Sequence, residues 1–465
     1  MNNGLVSLVG AGPGDPELLT VKGKRRIQEA DVVMFDRLID PSILSYAKAD
    51  AELINVGKLP HHHRVKQSQI NQMLVDYSLD EKRVVRLKAG DPYVLGRGGE
   101  EAQFLTANGI NYEVVPGLTS AIAGLAAAGI PVTHRDYASS FHVISAHLKK
   151  ENGTLDWPNI AHQEGTLIFL MGMENLDLIV SELLNNGRSD DTPVAIIQWA
   201  TQWRQKNLIS NLKDVRRKVE ETGIGSPSII AVGDVVKLHQ EIDYILPLFG
   251  QRILIADNSS HKLVHELRDH GASVVTYRRG KNEKTAFDIG KIMNHQQICF
   301  EDVDSFEFFI DELNLKNRDL RSIFNIKMLA TSDHLAKKMK KSGVIADQVV
   351  EIEDVANTDD TVVLGSNTSE IIGYKNFDSV YHRRVSSNEN IDFSEFSKLL
   401  FISKSSVTDL LDSIIEEKIP EIQNIPALAM GKKVEQLLIS KGFTKVKLVK
   451  PKNSKVLEEL LEEVN

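Results

Sequence analysis

Short apolar runs recur along the first quarter of the chain, each followed by glycine, proline or a charged residue. Residues 5–9, Val32–Phe35, 52–56 and 84–87 read as strands, and the stretches 16–29 and 67–77 read as helices. Alternation of this kind predicts an α/β layer with mostly parallel pairing over residues 4–115. Val114-Val-Pro-Gly117 closes that unit. A second α/β unit is expected over 116–248, with a small-residue helix at 119–128 and strands at Phe141–Ser145, 166–171, Pro193–Gln198 and Ser228–Val232. Pro247-Leu-Phe-Gly250 reads as a linker, and Arg252–Ala256 opens a fresh strand–helix–strand pattern. The last third carries a weak internal repeat. Runs 298–300 and 400–402 each lead into a helix and later reach similar segments, Lys338-Met-Lys-Lys-Ser-Gly343 and Leu438-Ile-Ser-Lys-Gly442. Two similar α/β lobes are expected there, with an amphipathic helix over 455–463.

Bulk composition narrows the class. At 42% hydrophobic and 26% charged residues, the chain has the balance of an ordinary globular protein with sizeable cores. A formal net charge of −9 argues against nucleic-acid binding through a general positive field, while leaving room for a local basic pocket. The single cysteine, Cys299, excludes a disulfide within the chain and a thiolate metal cluster, which suits a reducing compartment. The N-terminus lacks a basic n-region, and the longest apolar run, 118–132, is short and ends near Pro131. A cytoplasmic protein without membrane contact is expected.

Candidate chemistry concentrates in loops. The stretch from Val85 to Glu101 packs glycine, proline and charge into a segment that follows an apolar strand. A loop of this kind brings bare backbone close to a ligand. Gly10-Ala-Gly-Pro-Gly-Asp-Pro16 follows the first strand and partly matches a dinucleotide fingerprint, with Asp36 near the position of a ribose-binding acid. Asp15 replaces the third glycine, and Pro13 removes an N–H that pyrophosphate would need. His61-His62-His63 lacks cysteine or carboxylate partners at ligand spacing, so no metal site is read there.

Taken in order, the motifs resemble the uroporphyrinogen-III C-methyltransferases of the tetrapyrrole methylase family. They are Val9-Gly-Ala-Gly-Pro-Gly-Asp15, Phe35-Asp-Arg-Leu38, Val56-Gly-Lys58, the 86–101 loop and Val115-Pro-Gly-Leu-Thr-Ser120. Gly129-Ile-Pro-Val-Thr-His-Arg-Asp136, Phe169-Leu-Met-Gly172, Gln198-Trp-Ala-Thr201 and Ser226-Pro-Ser-Ile-Ile-Ala-Val-Gly233 continue the match. The resemblance implies a two-domain methylase fold over 1–248, with subdomains 1–115 and 116–248, and S-adenosylmethionine in the cleft between them. It implicates Pro13, Ala89, Gly90, Asp91, Val94, Thr119, Ser120, Met171 and Ala200 in holding that cofactor. Asp36 corresponds to a proton acceptor and Lys58 to a proton donor. Arg37, Arg97, His134 and Arg135 would meet the carboxylates of uroporphyrinogen III, as arginine suits bidentate carboxylate binding. The family also implies a homodimer through this half. It usually has glycine where Ala89 and Ala200 stand, and a Cβ at a left-handed position would cost about 1–2 kcal/mol.

Residues 251–465 resemble uroporphyrinogen-III synthase more distantly, through the two-lobe repeat, Val380-Tyr-His-Arg383 and Phe401-Ile-Ser-Lys-Ser-Ser-Val407. That resemblance implies an α/β domain with one lobe from 251–282 and 385–465 and another from 283–380, closing on hydroxymethylbilane. Only Tyr381 and Ser403 carry over as catalytic candidates. Phe300-Glu301-Asp302 places acids where an anionic substrate would approach.

Overall fold

The computed structural model describes residues 4–48, 50–57, 65–147, 155–257, 261–355, 358–367, 374–384, 388, 391–450 and 453–462. Strands β1 (Val6–Gly10), β2 (Val32–Phe35), β3 (Glu52–Asn55), β4 (Val84–Lys88) and β5 (Tyr112–Val115) form a parallel sheet in the order β3-β2-β4-β1-β5. Every residue of β1 and β4 is buried, as expected of central parallel strands covered on both faces. Helices α1 (Val21–Glu29), α2 (Pro41–Leu44), α3 (Gln67–Leu79) and α4 (Gly98–Ala107) supply the cover. Ile70, Leu74 and Leu105 pack against Leu8 on one face, and Ile27 and Ile43 pack against Val9 on the other.

The helix expected over 16–29 is two helices. Pro16–Leu18 forms a single 3-10 turn capped by Asp15, Leu19 and Thr20 are extended, and α1 then begins afresh. The Thr20 hydroxyl accepts from the Gly23 amide, and this cap stabilises a new start over a continuous helix. Helix α1 is fastened to the sheet by Glu113 on β5, which takes Lys22 at 2.7 Å, the Ser7 hydroxyl at 2.9 Å and the Arg26 guanidinium.

The second sheet is mixed. Strands β6 (Phe141–Ser145), β7 (Thr166–Leu170), β8 (Pro193–Gln198), β9 (Lys206–Asn211) and β10 (Ser228–Val232) run in the order β6-β7-β10-β8-β9. β6 and β7 are parallel, while β10 is antiparallel to both neighbours and β9 is antiparallel to β8. Consequently the C-terminal ends of β6, β7 and β8 share one edge with the start of β10. Helix α5 (Ser120–Ala126) sets Ala121 and Leu125 against Ile229 and Ala200.

Beyond residue 250 the strands are β11 (Arg252–Ala256), β12 (Ser273–Tyr277), β13 (Lys281–Lys284), β14 (Gln297–Phe300), β15 (Lys327–Ala330), β16 (Gln348–Val349), β17 (Thr361–Ser366), β18 (Phe377–Arg384), β19 (Lys398–Phe401), β20 (Ala427–Met430) and β21 (Val446–Val449). One parallel sheet has the order β12-β11-β19-β20-β21, and a mixed sheet has the order β13-β18-β17-β14-β15-β16, with β13 antiparallel to β18. The chain falls into two compact units, Met1–Tyr277 with Phe393–Ile402 and Asn424–Asn465, and Arg278–Asp392 with Ser403–Gln423. The sheet built on β11 therefore belongs to the same unit as the N-terminal half. Cys299 is buried on β14, and burial, with Glu301 nearby, pushes its thiol up to about 12. Among the described residues no helix is long and apolar enough to cross a membrane.

The Glu113 cluster has a pH signature. Burial raises its pKa, but the hydrogen bonds from Arg26, Lys22 and Ser7 outweigh burial and bring it from 4.5 to about 2. A lowered carboxylate pKa contributes stability above the unfolded value that is lost as pH falls towards the folded one. Glu113→Gln is expected to cost about 1–2 kcal/mol at neutral pH, with the deficit shrinking steadily below pH 4.5. Urea unfolding across a pH series checks this; a deficit unchanged between neutral and acid conditions contradicts it.

Candidate active site

The strand directions bring four loops together, those that follow β1, β4, β5 and β8. The backbones of the first three touch. Gly12 and Gly90 exchange two hydrogen bonds, with the Gly90 amide donating at 2.7 Å and the Gly12 amide at 3.2 Å. A Cβ on Gly10 would stand 2.6 Å from the Cα of Gly117, and one on Gly117 would stand 2.3 Å from the Gly90 carbonyl oxygen. No side chain fits at either position, so close approach of bare backbone is what shapes this end of the sheet. Asp91 fixes the turn above it: one carboxylate oxygen accepts from the Tyr93 and Val94 amides, and the other from Gly117 at 3.0 Å. The loop after β8 joins the first loop through the Asp15 amide, which donates to the Thr201 hydroxyl at 3.2 Å. Thr119 caps α5, and Ser120 is that helix's first residue.

Backbone strain gathers at the same place. Among the described residues seven non-glycine positions have positive φ, and Leu95, Arg97, Met171, Trp199 and Thr201 account for five of them. Such conformations persist where surrounding structure over-determines them, and they mark ligand-binding loops. Ala89 and Ala200 are not among them; Gly90 at φ +69, with Trp199 and Thr201, carries the left-handed geometry instead. The two alanines therefore incur no such penalty. Ala200 is also nearly buried, facing Gly124. Val94, Leu118 and Met171 leave apolar surface exposed around these loops, Met171 to 50%.

Asp36 stands at the C-terminal end of β2, on the same sheet edge. It is not the cap of the following helix; Asp40 performs that task. Asp36 instead accepts from Arg86 at 2.7 Å. Arg86 is nearly inaccessible and bonds through Nε to Glu101 at 3.2 Å, while Lys88, two residues along the same strand, donates to the same Glu101 oxygen at 3.0 Å. Gln67 adds a third donor at 3.0 Å, and the second Glu101 oxygen is buried without a partner among the described residues. Burial, then repulsion from Arg86, lowers the Lys88 pKa despite its bond to Glu101. None of Arg86, Lys88 and Glu101 was singled out from sequence as a site residue. Charged residues inside an otherwise apolar central strand were the available signal.

The remaining candidates lie as follows. Arg37 is exposed, with its backbone against Gly57. Arg97 is half exposed and makes a two-pronged pair with Glu100 at 2.9 and 2.6 Å. His134 and Arg135 are not brought to the cleft. Val132 bonds to Thr166 at the start of β7, and Arg135 lines a cavity of about 640 Å3 with Gly165, Arg188, Pro193 and Gly233. Those residues sit at the opposite end of the second sheet from Met171 and Ala200, a full strand length away. Lys58 and His61-His62-His63 fall outside the described residues. In the second compact unit, Tyr381 is buried and donates to the Asp302 carboxylate; burial first, then Asp302, raises its pKa far above the ordinary tyrosine value. Ser403 is the cap of the helix Lys404–Asp412, accepting from the Ser406 amide at 3.1 Å. Arg279 and Arg383 both bond Asp409.

A glycine-shaped cleft at the C-terminal edge of two α/β layers, with a carboxylate held beside it, is the frame of a small-molecule site. The family model for Tetrapyrrole (Corrin/Porphyrin) Methylases matches residues 5–216. A Uroporphyrinogen-III C-methyltransferase of Bacillus subtilis (strain 168) is 41% identical over 353 residues, covering 74% of this chain and 73% of its own length. A Porphyrin biosynthesis protein HemD of Ruminiclostridium josui is 35% identical, covering 99% of this chain and 98% of its own length. A crystal structure of Uroporphyrin-III C-methyl transferase from Thermus thermophilus, complexed with S-adenyl homocysteine, is 38% identical and covers 50% of this chain and 94% of its own, at a TM-score of 0.44. The chain belongs to the tetrapyrrole methylase family, whose methyl donor is S-adenosylmethionine. The residues present fit that donor. Backbone left bare at Gly10, Gly90 and Gly117 and apolar surface at Val94 and Met171 suit a flat, amphipathic adenosine with a cationic sulfur.

The buried charges make a stability prediction. Glu101→Gln keeps the shape and removes the one carboxylate that Arg86 and Lys88 share. Unfolding free energy should fall by about 3–5 kcal/mol, the usual cost of breaking a buried pair. Adding Lys88→Met should restore a large part of the loss, because one buried cation is then left with Asp36 alone. Urea denaturation of both variants measures this, and equal stability of single and double variants would refute the shared-carboxylate account.

Proposed function

We propose that the N-terminal half transfers methyl groups from S-adenosylmethionine to two ring carbons of uroporphyrinogen III, giving precorrin-2, and that the part beyond residue 251 makes uroporphyrinogen III from hydroxymethylbilane. The single observation that carries the first activity is the meeting of the motif loops at one sheet edge with Asp36 held there by Arg86. The name of the Bacillus subtilis relative supports the acceptor.

When bound, the cofactor supplies a methyl group made electrophilic by a positively charged sulfur. The chain's own residues bind, orient and manage the proton. Loops 10–16, 89–98 and 199–205 fix the donor, and holding two reactants in line supplies much of the rate. A pyrrole carbon forms a bond to the methyl carbon as the sulfur–carbon bond breaks, so the ring system becomes cationic and must release a proton. Asp36 is the acceptor of that proton in this reading. Arg86, anchored by Glu101, keeps its carboxylate at the edge. Lys58 is the proton donor, and Arg37 and Arg97 receive substrate carboxylates, Arg97 by exchanging Glu100 for the ligand. A homodimer through the methylase half and a cytoplasmic site of action belong to the same reading.

A second reading of the C-terminal part rests on Tyr381 and Ser403. Both have structural occupations, one against Asp302 and one as a helix cap. A catalytically silent binding module would look like this.

Mass spectrometry of the products separates the possibilities. With uroporphyrinogen III and S-adenosylmethionine, two methyl groups should be added; methylation of a different precorrin and not of this acceptor would sink the proposal. Asp36→Asn should lower the single-turnover rate by about 10²–10⁴-fold, with S-adenosylhomocysteine binding unchanged. With hydroxymethylbilane alone, formation of the type III isomer supports the synthase, and exclusive type I product supports the silent module.

A further inference from the structure

Segment 393–396, which precedes β19 in the C-terminal part of the chain, reaches the loops of the methylase site within the same compact unit. Its acid, Glu395, is held at both oxygens. Oε1 takes Arg204 at 3.3 Å, and Oε2 takes Arg252 at 3.0 Å. The Arg204 guanidinium carbon lies over the Trp199 ring, 3.6 Å from its centre, and Nε also donates to the Gln202 side chain at 3.3 Å. Gln202 in turn closes on Gly14, where a Cβ would stand 2.6 Å from its Cγ. Trp199 and Thr201 are the strained positions on either side of Ala200. Arg252 is nearly inaccessible, with Asp40 at 3.8 Å and the Phe396 ring 5.3 Å from its guanidinium carbon. One carboxylate thus connects to the loop after β8 on one side and to the loop that carries Asp36 and Asp40 on the other.

We infer that Glu395 is a positioning residue for the methylase site: it anchors Arg204 over Trp199 and so holds the 199–205 loop in its cofactor-binding shape. The reasoning is physical. Two positive-φ residues flanking Ala200 are costly unless neighbours impose them, and an ion-paired arginine over the Trp199 ring is such a neighbour. Arg204 is partly exposed, so without Glu395 water competes for its guanidinium and the stack loosens. The C-terminal part of the chain then serves the methylase half structurally, whatever reaction it carries out itself. The inference rests on the reading of 199–205 as a cofactor loop.

The test uses the full chain, with Glu395→Gln, Arg204→Met and the double variant. S-adenosylhomocysteine binding by calorimetry should weaken about three- to tenfold in each single variant, the range lost with one partly exposed hydrogen bond. The double variant should weaken no further than either single one, because both break the same link. The KM for the tetrapyrrole should not move, and Trp199 emission should change in the ligand-free protein as the cation leaves its ring. Unaltered binding in Arg204→Met, whose site is exposed enough to tolerate truncation, overturns the inference, as do fully additive losses. If the unsubstituted chain fails to bind S-adenosylhomocysteine, the cofactor reading falls instead. The emission of Trp199, isolated by Trp157→Phe and Trp203→Phe, then decides alone whether Glu395 anchors the stack: a shift in Glu395→Gln supports it and no shift overturns it.

Discussion

The Glu101 carboxylate is wholly buried and answers two cations that β4 carries into the interior. Without it Arg86 and Lys88 would have to reach water, and a central strand covered on both faces gives them no route. Held by Glu101, Arg86 has donors left for the Met34 and Leu87 carbonyls and for Asp36. The same interaction therefore fastens α4 to the sheet and holds an acid at the edge where the loops converge. A strand made only of valine and leucine would pack as well, but nothing would then extend from the core to the cleft. The desolvation of these charges is a cost that buys direction.

The loops show a second constraint of a different kind. Where β1, β4 and β5 end, glycine backbones touch, and Gly10 and Gly117 leave no volume for side chains, so the cleft floor is peptide. This was largely legible in the sequence, because Gly10, Gly90 and Gly117 each follow an apolar strand and strand ends are easily read. Five strand bounds, Val32–Phe35, Phe141–Ser145, Pro193–Gln198, Ser228–Val232 and Arg252–Ala256, coincide with those expected. What the sequence did not reveal depends on three-dimensional partners. A local cap at Thr20 divided an expected helix. Strand β9, Lys-Asn-Leu-Ile-Ser-Asn, is too polar to signal itself and forms because β8 offers it an edge. Arg97 looked available on composition, yet Glu100 stands one helical turn away on the same face. His134 and Arg135 belong to a motif close in sequence to the cleft residues, but β7 runs between them and Met171.

In the C-terminal part, periodicity was enough to anticipate two α/β layers and little more. The repeat places a capped helix after β14 and after β19, with Asp302 and Ser403 as the equivalent caps. Equivalent positions hold different chemistry: the aspartate engages Tyr381, while the serine bonds Ser405 and Ser406 of its own helix. A fold repeated in this way preserves the cap because the helix requires one, and it leaves the residue's identity open to other demands.

The order of strands in the sheet built on β11 has a bearing on synthesis. β11 pairs with β12, which follows it directly, and with β19, which is reached only after all of β13–β18 has been made. As the chain leaves the ribosome, Ile253, Leu254 and Ile255 present one open backbone edge until Phe401 has emerged. The newborn chain must therefore pass through a long interval with an apolar parallel edge unsealed, and its demand for chaperones should peak there, ahead of the last two strands.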